Sequence, residues 1–251
     1  MSAIEHTGRF VDAFKNWQSS AKADGPSWMK ELRQAGISSF MSLGFPTTKH
    51  EEWKYTNVEP VVSRPFGLAN GEVKSLGGTD ILSRAFVDAD APRLVFLNGV
   101  YAATLSSTHS LPNGVRLASL SELREKDGIL AALIGRHADH RRNAFVALNT
   151  AFMDDGAVVM IPPACRLSQP IYLVYASGAM QQPIVSHPRT LIVLGAGSEV
   201  SIVESYAGLN GGTYLCNAVT ELIGQSDAVA HHYRLQREGT AGFHVGTLAA
   251  N

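Results

Sequence analysis

The 251 residues carry 21 Lys and Arg against 22 Asp and Glu, a net charge of -1, with 45% hydrophobic and only 17% charged side chains. A chain this apolar folds around a core rather than staying disordered, and its length suits one or two domains. With no basic run it lacks an electrostatic footprint for nucleic acid or an anionic membrane. Residues 1–10 have neither the basic nor the apolar region of an export signal, and no stretch approaches the ~20 uninterrupted apolar residues of a membrane span, so a cytoplasmic location is expected.

Residues 1–60 read as a helical N-terminal region. Phe10, Val11, Phe14 and Trp17 repeat at helical spacing, as do Trp28, Met29 and Leu32 after Pro26 and Ser27. A turn at Pro46 follows, then Thr48 with Glu51 three positions later, which fits a capping box and predicts a single helical turn. Residues 61–92 show no sustained period and read as an irregular linker. Residues 93–155 read as a hairpin and a helix pair leading into the core. Asn98-Gly99 lies between two β-rich runs, a strong hairpin signal. Ile129, Leu130 and Leu133 form one helical stripe and Phe145, Leu148 and Phe152 another, and the two are expected to pack together.

From Gly156 to Asn251 the apolar runs become short, β-branched and regularly interrupted, at 157–161, 171–175, 190–194, 200–204, 217–223, 228–235 and 243–248. Ile171, Val200 and Val229 are spaced 29 residues apart, and Leu173, Ile202 and His231 keep the same register. Two strands per interval, with corners such as Gly195-Ala-Gly-Ser and Gly224-Gln-Ser-Asp, suit a coil that stacks on itself, a parallel β-helix. A β-sandwich remains the structural alternative, with hairpin turns between neighbouring strands. The expected class is therefore α+β, helices first and the β region after.

Chemistry-bearing residues are few. Two cysteines, Cys165 and Cys216, exclude a disulfide framework and a four-thiolate cluster shell within the chain, and read as small apolar side chains. Leu194-Gly-Ala-Gly-Ser-Glu-Val lacks the third glycine of a dinucleotide fingerprint and runs into a strand pattern, so it reads as a corner. Asp154-Asp155-Gly156 could supply paired acids for polysaccharide chemistry but reads better as a helix-to-strand turn. His231 and His232 point to opposite faces of a strand and cannot chelate one ion. His231, sharing its face with Val229, Tyr233 and Leu235, is expected buried, and His232 exposed. His137 and His140 sit among Arg136, Arg141 and Arg142, which suits a solvated connector more than a metal site. No catalytic residue and no metal ligand emerges.

The segment Gly44-Phe-Pro-Thr-Thr-Lys-His-Glu-Glu-Trp-Lys-Tyr-Thr closely resembles the N-terminal signature of SufD-like proteins of the SUF iron–sulfur cluster assembly system. The likeness continues through Ala147-Leu-Asn-Thr-Ala-Phe-Met-Asp-Asp-Gly-Ala, Ser186-His-Pro-Arg-Thr-Leu-Ile-Val and His231-His-Tyr-Arg-Leu-Gln-Arg-Glu. It implies a helical N-terminal region followed by a right-handed parallel β-helix. It also implies a non-catalytic scaffold role beside SufB-like and SufC-like subunits. An iron–sulfur cluster, and a flavin, would then belong to the assembled complex and not to this chain alone. The signature residues Gly44, Phe45, Pro46, Glu51, Glu52, Trp53, Lys54 and Tyr55 are carried over as structural, with Trp53 and Tyr55 expected to anchor the segment through buried rings. The family's proposed cluster ligands lie beyond Asn251 and none is transferred. The last strand, 243–248, has no polar cap after it, so an incomplete β-helix prone to self-association through that edge and unable to recruit a SufC-like subunit is expected. The rival expectation is a β-helix enzyme acting on polysaccharide, which would need a ladder of Asp, Arg and Lys along successive coils.

Overall fold

A computed structural model describes residues 3–20, 23–71, 78–88, 90–126, 128–178, 182–209 and 211–251. Two helices open the chain, α1 (Ala3–Gln18) and α2 (Ser27–Leu43). They bury Phe10 and Phe14 of the stripe read from the first and Met29 of that read from the second, with Trp28 and Leu32 half-buried; Ile37 and Phe40 are buried as well. α2 stops at Gly44, whose φ of 62° is a left-handed conformation suited to glycine and whose N–H reaches the Phe40 carbonyl. Phe45 then turns inward, edge-on to Phe10 and Phe40 at centroid distances of 5.3 and 4.9 Å. A 3-10 turn covers Glu51–Trp53 as expected, but Thr48 does not cap it: its N-terminal residue is His50, without a side-chain capping bond.

Residues 61–92 are more structured than their lack of period suggests. α3 (Glu59–Val62) buries Val61 and Val62, β1 (Gly67–Leu68) pairs with a strand more than a hundred positions later, and α4 (Gly78–Arg84) buries Ile81. Elements of two to seven residues are too short to establish a period. β2 (Arg93–Leu97) and β3 (Val100–Tyr101) form the expected hairpin, with positive φ at both Asn98 and Gly99. β4 (Arg116–Ser119) leads into α5 (Leu120–Leu123), where Ser119 and Glu122 form a true capping box. α6 (Ile129–Leu133) and α7 (Ala144–Phe152) do not pack as a pair. Leu130 joins Met29, Leu120 and Met153 in one cluster, whereas Phe145, Leu148 and Phe152 join Phe10, Phe14 and Phe40 in another. α7 lies against α2 instead, at Gly36, where a Cβ would stand 2.6 Å from the Ala151 nitrogen.

Eight strands follow: β5 (Ala157–Ile161), β6 (Ile171–Ser177), β7 (Ile184–Ser186), β8 (Arg189–Leu194), β9 (Glu199–Gly208), β10 (Tyr214–Gly224), β11 (Val229–Arg237) and β12 (Gly242–Ala250). They alternate between two sheets, except that β7 and β8, consecutive in the chain, share the first. β5, β7, β8, β10 and β12 belong to the first, with β1 and β4; β6, β9 and β11 belong to the second, with β2 and β3. Among the described residues, every pairing between these eight strands is parallel. Parallel neighbours drawn from alternate passes of the chain are incompatible with a sandwich of hairpins.

The spacing from pass to pass is not a constant 29. Tyr214 faces Gly242, Glu199 faces Val229, Ile171 faces Ile202 and Val158 faces Leu191. The corners differ in length, since residues 162–170 join β5 to β6 but only 195–198 join β8 to β9. Ile171 is therefore stacked on Ile202 rather than on Val200. The space between the sheets is filled by Leu94, Ile171, Leu173, Ile192, Leu194, Val200 and Ile202, with Phe96, Tyr175 and Tyr206 stacked at 5.1 and 5.0 Å.

Candidate functional site

The chemistry of the described residues is concentrated between the two sheets at β9 to β12, where the interior changes from apolar to polar. Val200, Ile202, Glu204 and Tyr206 project inward from β9, and β11 sets His232 beside Ile202 and Arg234 beside Glu204. From the first sheet, β10 contributes Cys216 and Thr220, and β12 sets His244 beside Cys216. Gly246 makes room for this cluster, since a Cβ there would stand 2.6 Å from Arg234 Nη1 and 2.8 Å from His244 Nε2.

Glu204, with no solvent exposure, is the centre of the cluster. Its Oε1 accepts from Thr220 Oγ1 at 2.6 Å and lies 3.3 Å from His232 Nε2; its Oε2 accepts from Tyr206 OH at 2.9 Å and from Arg234 Nη2 at 3.2 Å. Burial pushes the carboxyl up, but His232, Arg234 and Thr220 more than offset it and hold Glu204 below its ordinary range. Three hydrogen bonds and the nearby His232 ring hold both oxygens in place, which makes this carboxylate a structural group rather than a free base. His244 meets Tyr206 edge-on at 4.5 Å and brings Nδ1 to 3.1 Å from Glu238 Oε2. Burial pushes the Cys216 thiol up, so it stays protonated and poorly nucleophilic.

His231 and His232 are the reverse of the sequence expectation. His231 is half exposed, 3.7 Å from Glu199, while His232 lies inside. The surrounding pattern misleads, because on β11 the apolar residues Val229, Tyr233 and Leu235 face outward and the polar ones inward. A strand read with the wrong face exchanges every side chain. Sequence reading also missed Glu204, Tyr206, Thr220, Arg234 and His244. A signal was there: Glu204 and Arg234 are opposite charges at the β9–β11 spacing of 30, not at 29.

The other candidates resolve into structural roles. Asp155, almost fully buried, accepts from Tyr101 N, Ser119 Oγ, Ser121 N and Gly156 N at 2.8 to 3.1 Å, and so ties the hairpin to the α7–β5 turn. Burial outweighs these donors and raises its pKa. Asp154 is held by Arg124 at 2.7 Å and Arg33 at 3.3 Å. Neither acid is free for hydrolysis, and the polysaccharide reading finds no support in them. Gly156 has a φ of 153°, and a Cβ there would collide with the Arg189 carbonyl. His140 Nδ1 lies 2.9 Å from Ser39 Oγ, and His137 lends only its backbone N–H, to Glu221. Among the described residues no three His, Cys, Asp or Glu side chains come together to hold a metal ion.

A second buried network joins the residues of the blocks 147–157 and 186–193. Arg189 Nη2 donates to Glu221 Oε1 at 2.7 Å and Nη1 to Asn149 Oδ1 at 3.1 Å. Glu221 also accepts from Gly135, His137 and Ala138 N–H groups; burial pushes its carboxyl up, but the Arg189 charge, with the Gly135 and His137 N–H groups, more than offsets this and holds it below its ordinary range. Asn217 Nδ2 approaches His187 Nδ1 at 3.1 Å, and burial lowers the His187 pKa to about 3.

Of the signature residues, Phe45 is buried and Trp53 half-buried over Phe145 at 5.3 Å, whereas Tyr55 is 91% exposed, with Lys54 Nζ 5.6 Å from its ring. Trp53 anchors the segment and Tyr55 does not, because the turn that seats the indole ends before Tyr55. Glu51, Glu52 and Lys54 are exposed or nearly so. Among the described residues no helix is long and apolar enough to cross a membrane.

The chain is similar to known proteins in two consecutive regions that meet inside β6. Residues 4–173 match the SufBD protein N-terminal region, and residues 175–251 match the SufBD core domain of SUF system FeS cluster assembly. The chain is 33% identical over 229 residues to the iron-sulfur cluster assembly SufBD family protein slr0076 of Synechocystis, covering 86% of this chain and 49% of that protein. Over 235 residues it is 23% identical to the iron-sulfur cluster assembly protein SufD of Escherichia coli, covering 93% and 52%. Over 224 residues it is 25% identical to the chloroplastic protein ABCI7 of Arabidopsis thaliana, covering 86% and 46%. It spans about half the length of these curated relatives.

Proposed function

The chain belongs to the SufBD family, and from that membership we propose that it is a non-catalytic scaffold subunit of iron–sulfur cluster assembly, working in the cytoplasm with SufB-like and SufC-like subunits. The observation that carries this reading is the unbroken succession of two family regions, N-terminal and core, over residues 4–173 and 175–251. We read the alternating parallel strands as coils of a right-handed β-helix, the hand expected of parallel crossovers between right-twisted strands. The buried charges favour a scaffold over an enzyme: Glu204 and Glu221 spend their acceptors on neighbouring strands and loops, which fixes strand register and commits both carboxylates to structure. The nascent cluster is cargo of the assembled complex.

The test is a pulldown with tagged chain against the SufB-like and SufC-like subunits of its own source, run in parallel with a version extended to the relatives' full length. Retention of the SufB-like subunit by either form supports the reading. Failure of both to retain either subunit contradicts it.

A further inference from the structure

The outer face of the second sheet points to a docking surface. In register across that sheet, Tyr172, Val203 and Tyr233 form one row, and Val174, Ser205 and Leu235 the next. Over β2, β6 and β9 this face is covered by α4, whose Ile81 and the following Ala85 pack with Val95, Val174 and Ala207. Ser205 Oγ donates to the Ala85 carbonyl at 2.5 Å, which marks the limit of the cover. The apolar rows continue uncovered onto β11, where Val229, Tyr233 and Leu235 are 43, 55 and 37% exposed. The outward side chains of β11 include Val229, Tyr233 and Leu235, interrupted by His231 at 3.7 Å from Glu199, while its inward His232 and Arg234 are polar, an arrangement unusual for a solvated face.

The cover ends in a strained residue. Phe86 has a φ of 54°, a conformation costly for a bulky side chain, and its ring is 59% exposed rather than turned into the core beneath α4. The Arg237 guanidinium lies 3.9 Å from that ring and donates to the Arg84 carbonyl. Arg84 and Arg237 have no carboxylate partner among the described residues. The surface thus combines three apolar side chains, Phe86, Tyr233 and Leu235, with two guanidinium groups at one edge.

We propose that this face docks an acidic amphipathic helix of a partner protein. Its apolar residues would continue the layer that α4 begins, on Tyr233 and Leu235 beside Phe86, and its carboxylates would meet Arg84 and Arg237. A second copy of the chain is the poorer occupant, because a two-fold contact centred here sets Arg84 and Arg237 against their own counterparts. The surface would serve such a partner whatever the chain's part in cluster assembly.

Three blocked synthetic helices test this on the whole chain by fluorescence anisotropy: one with Leu at i, i+3, i+4 and i+7 flanked by Glu, a twin with Lys for Glu, and a twin with Ala for Leu. The Glu peptide should bind saturably at one to one, and both twins at least tenfold more weakly. The double variant Arg84→Glu/Arg237→Glu should reverse the preference toward the Lys peptide. Leu235→Asp, with an unchanged circular dichroism spectrum, should weaken the Glu peptide tenfold. Amide protection on binding should be confined to 84–86 and 229–237. Equal binding of the Glu and Lys twins, protection elsewhere, absence of saturable binding, or a self-associated form that excludes the peptide would each overturn the proposal.

Discussion

His232 sets its Nε2 3.3 Å from Glu204 Oε1 on the neighbouring strand, while His231 meets Glu199 on the opposite face of β11. One residue of register separates a side chain of the interior network from one of the surface. The network is therefore a record of how the strands are aligned, and disturbing it tests the alignment.

Glu204→Ala should destabilise the chain by about 3 to 5 kcal/mol, because Arg234 would remain between the sheets without its counter-charge. Glu204→Gln should cost less, since an amide oxygen still accepts from Thr220. Urea unfolding of the two variants checks this. A loss under about 0.5 kcal/mol for the alanine variant would mean that Arg234 finds water, and that the cluster is more open than described.

Arg189 and Glu221, both without exposure, form the second buried pair. Arg189→Met should cost about 3 to 5 kcal/mol by stranding Glu221, and Glu221→Leu in the same background should recover part of that loss. The recovery is expected to be incomplete, since Glu221 also serves the N–H groups of Gly135, His137 and Ala138. A double-mutant cycle with no coupling would contradict the network.

Acid should act in two stages. The folded His187 pKa is depressed to about 3, so the unfolded chain takes up a proton near its ordinary value of about 6.5 that the native state refuses. Stability then falls as pH drops below about 6.5, by about 2 kcal/mol between pH 6.5 and 5. Glu204 and Glu221 are depressed carboxylates. Their contribution is full above the unfolded carboxylate pKa and is lost only at lower pH, as it falls through their folded values. His187→Gln should flatten the first stage and leave the second. An unchanged slope between pH 6.5 and 5 would show that another histidine carries it.

Much of this architecture was legible in the residues. Phe10, Phe14, Trp28 and Met29 announced the opening helices, Asn98-Gly99 the hairpin, and seven of the eight later strands were visible as β-branched runs. What failed was what depends on distant partners. β1 pairs with β7, which no local pattern can reveal. α6 and α7 each carry a good stripe but spend it on different clusters. β11 was placed on the wrong face because its apolar residues point outward. The polar interior was hidden by treating corners of unequal length as equal, which misaligned Glu204 with Arg234.

The signature block divides into a held half and a free half. Trp53→Ala should cost about 1.5 to 3 kcal/mol, less than a fully buried indole because the ring is only half covered over Phe145. Tyr55→Ser should stay within about 0.5 kcal/mol. Thermal melts of both variants separate the two roles, and equal losses would mean that Tyr55 is packed in solution.

The scaffold reading is tested most directly by anaerobic cluster reconstitution in three arms: this chain alone, the SufB-like and SufC-like subunits together, and all three. Two thiols in the chain cannot complete a four-ligand shell. The account predicts no stoichiometric cluster on the chain alone, and a higher cluster yield from the three together than from the pair. A stable cluster on the isolated monomeric chain, or a yield that its addition leaves unchanged, would contradict it.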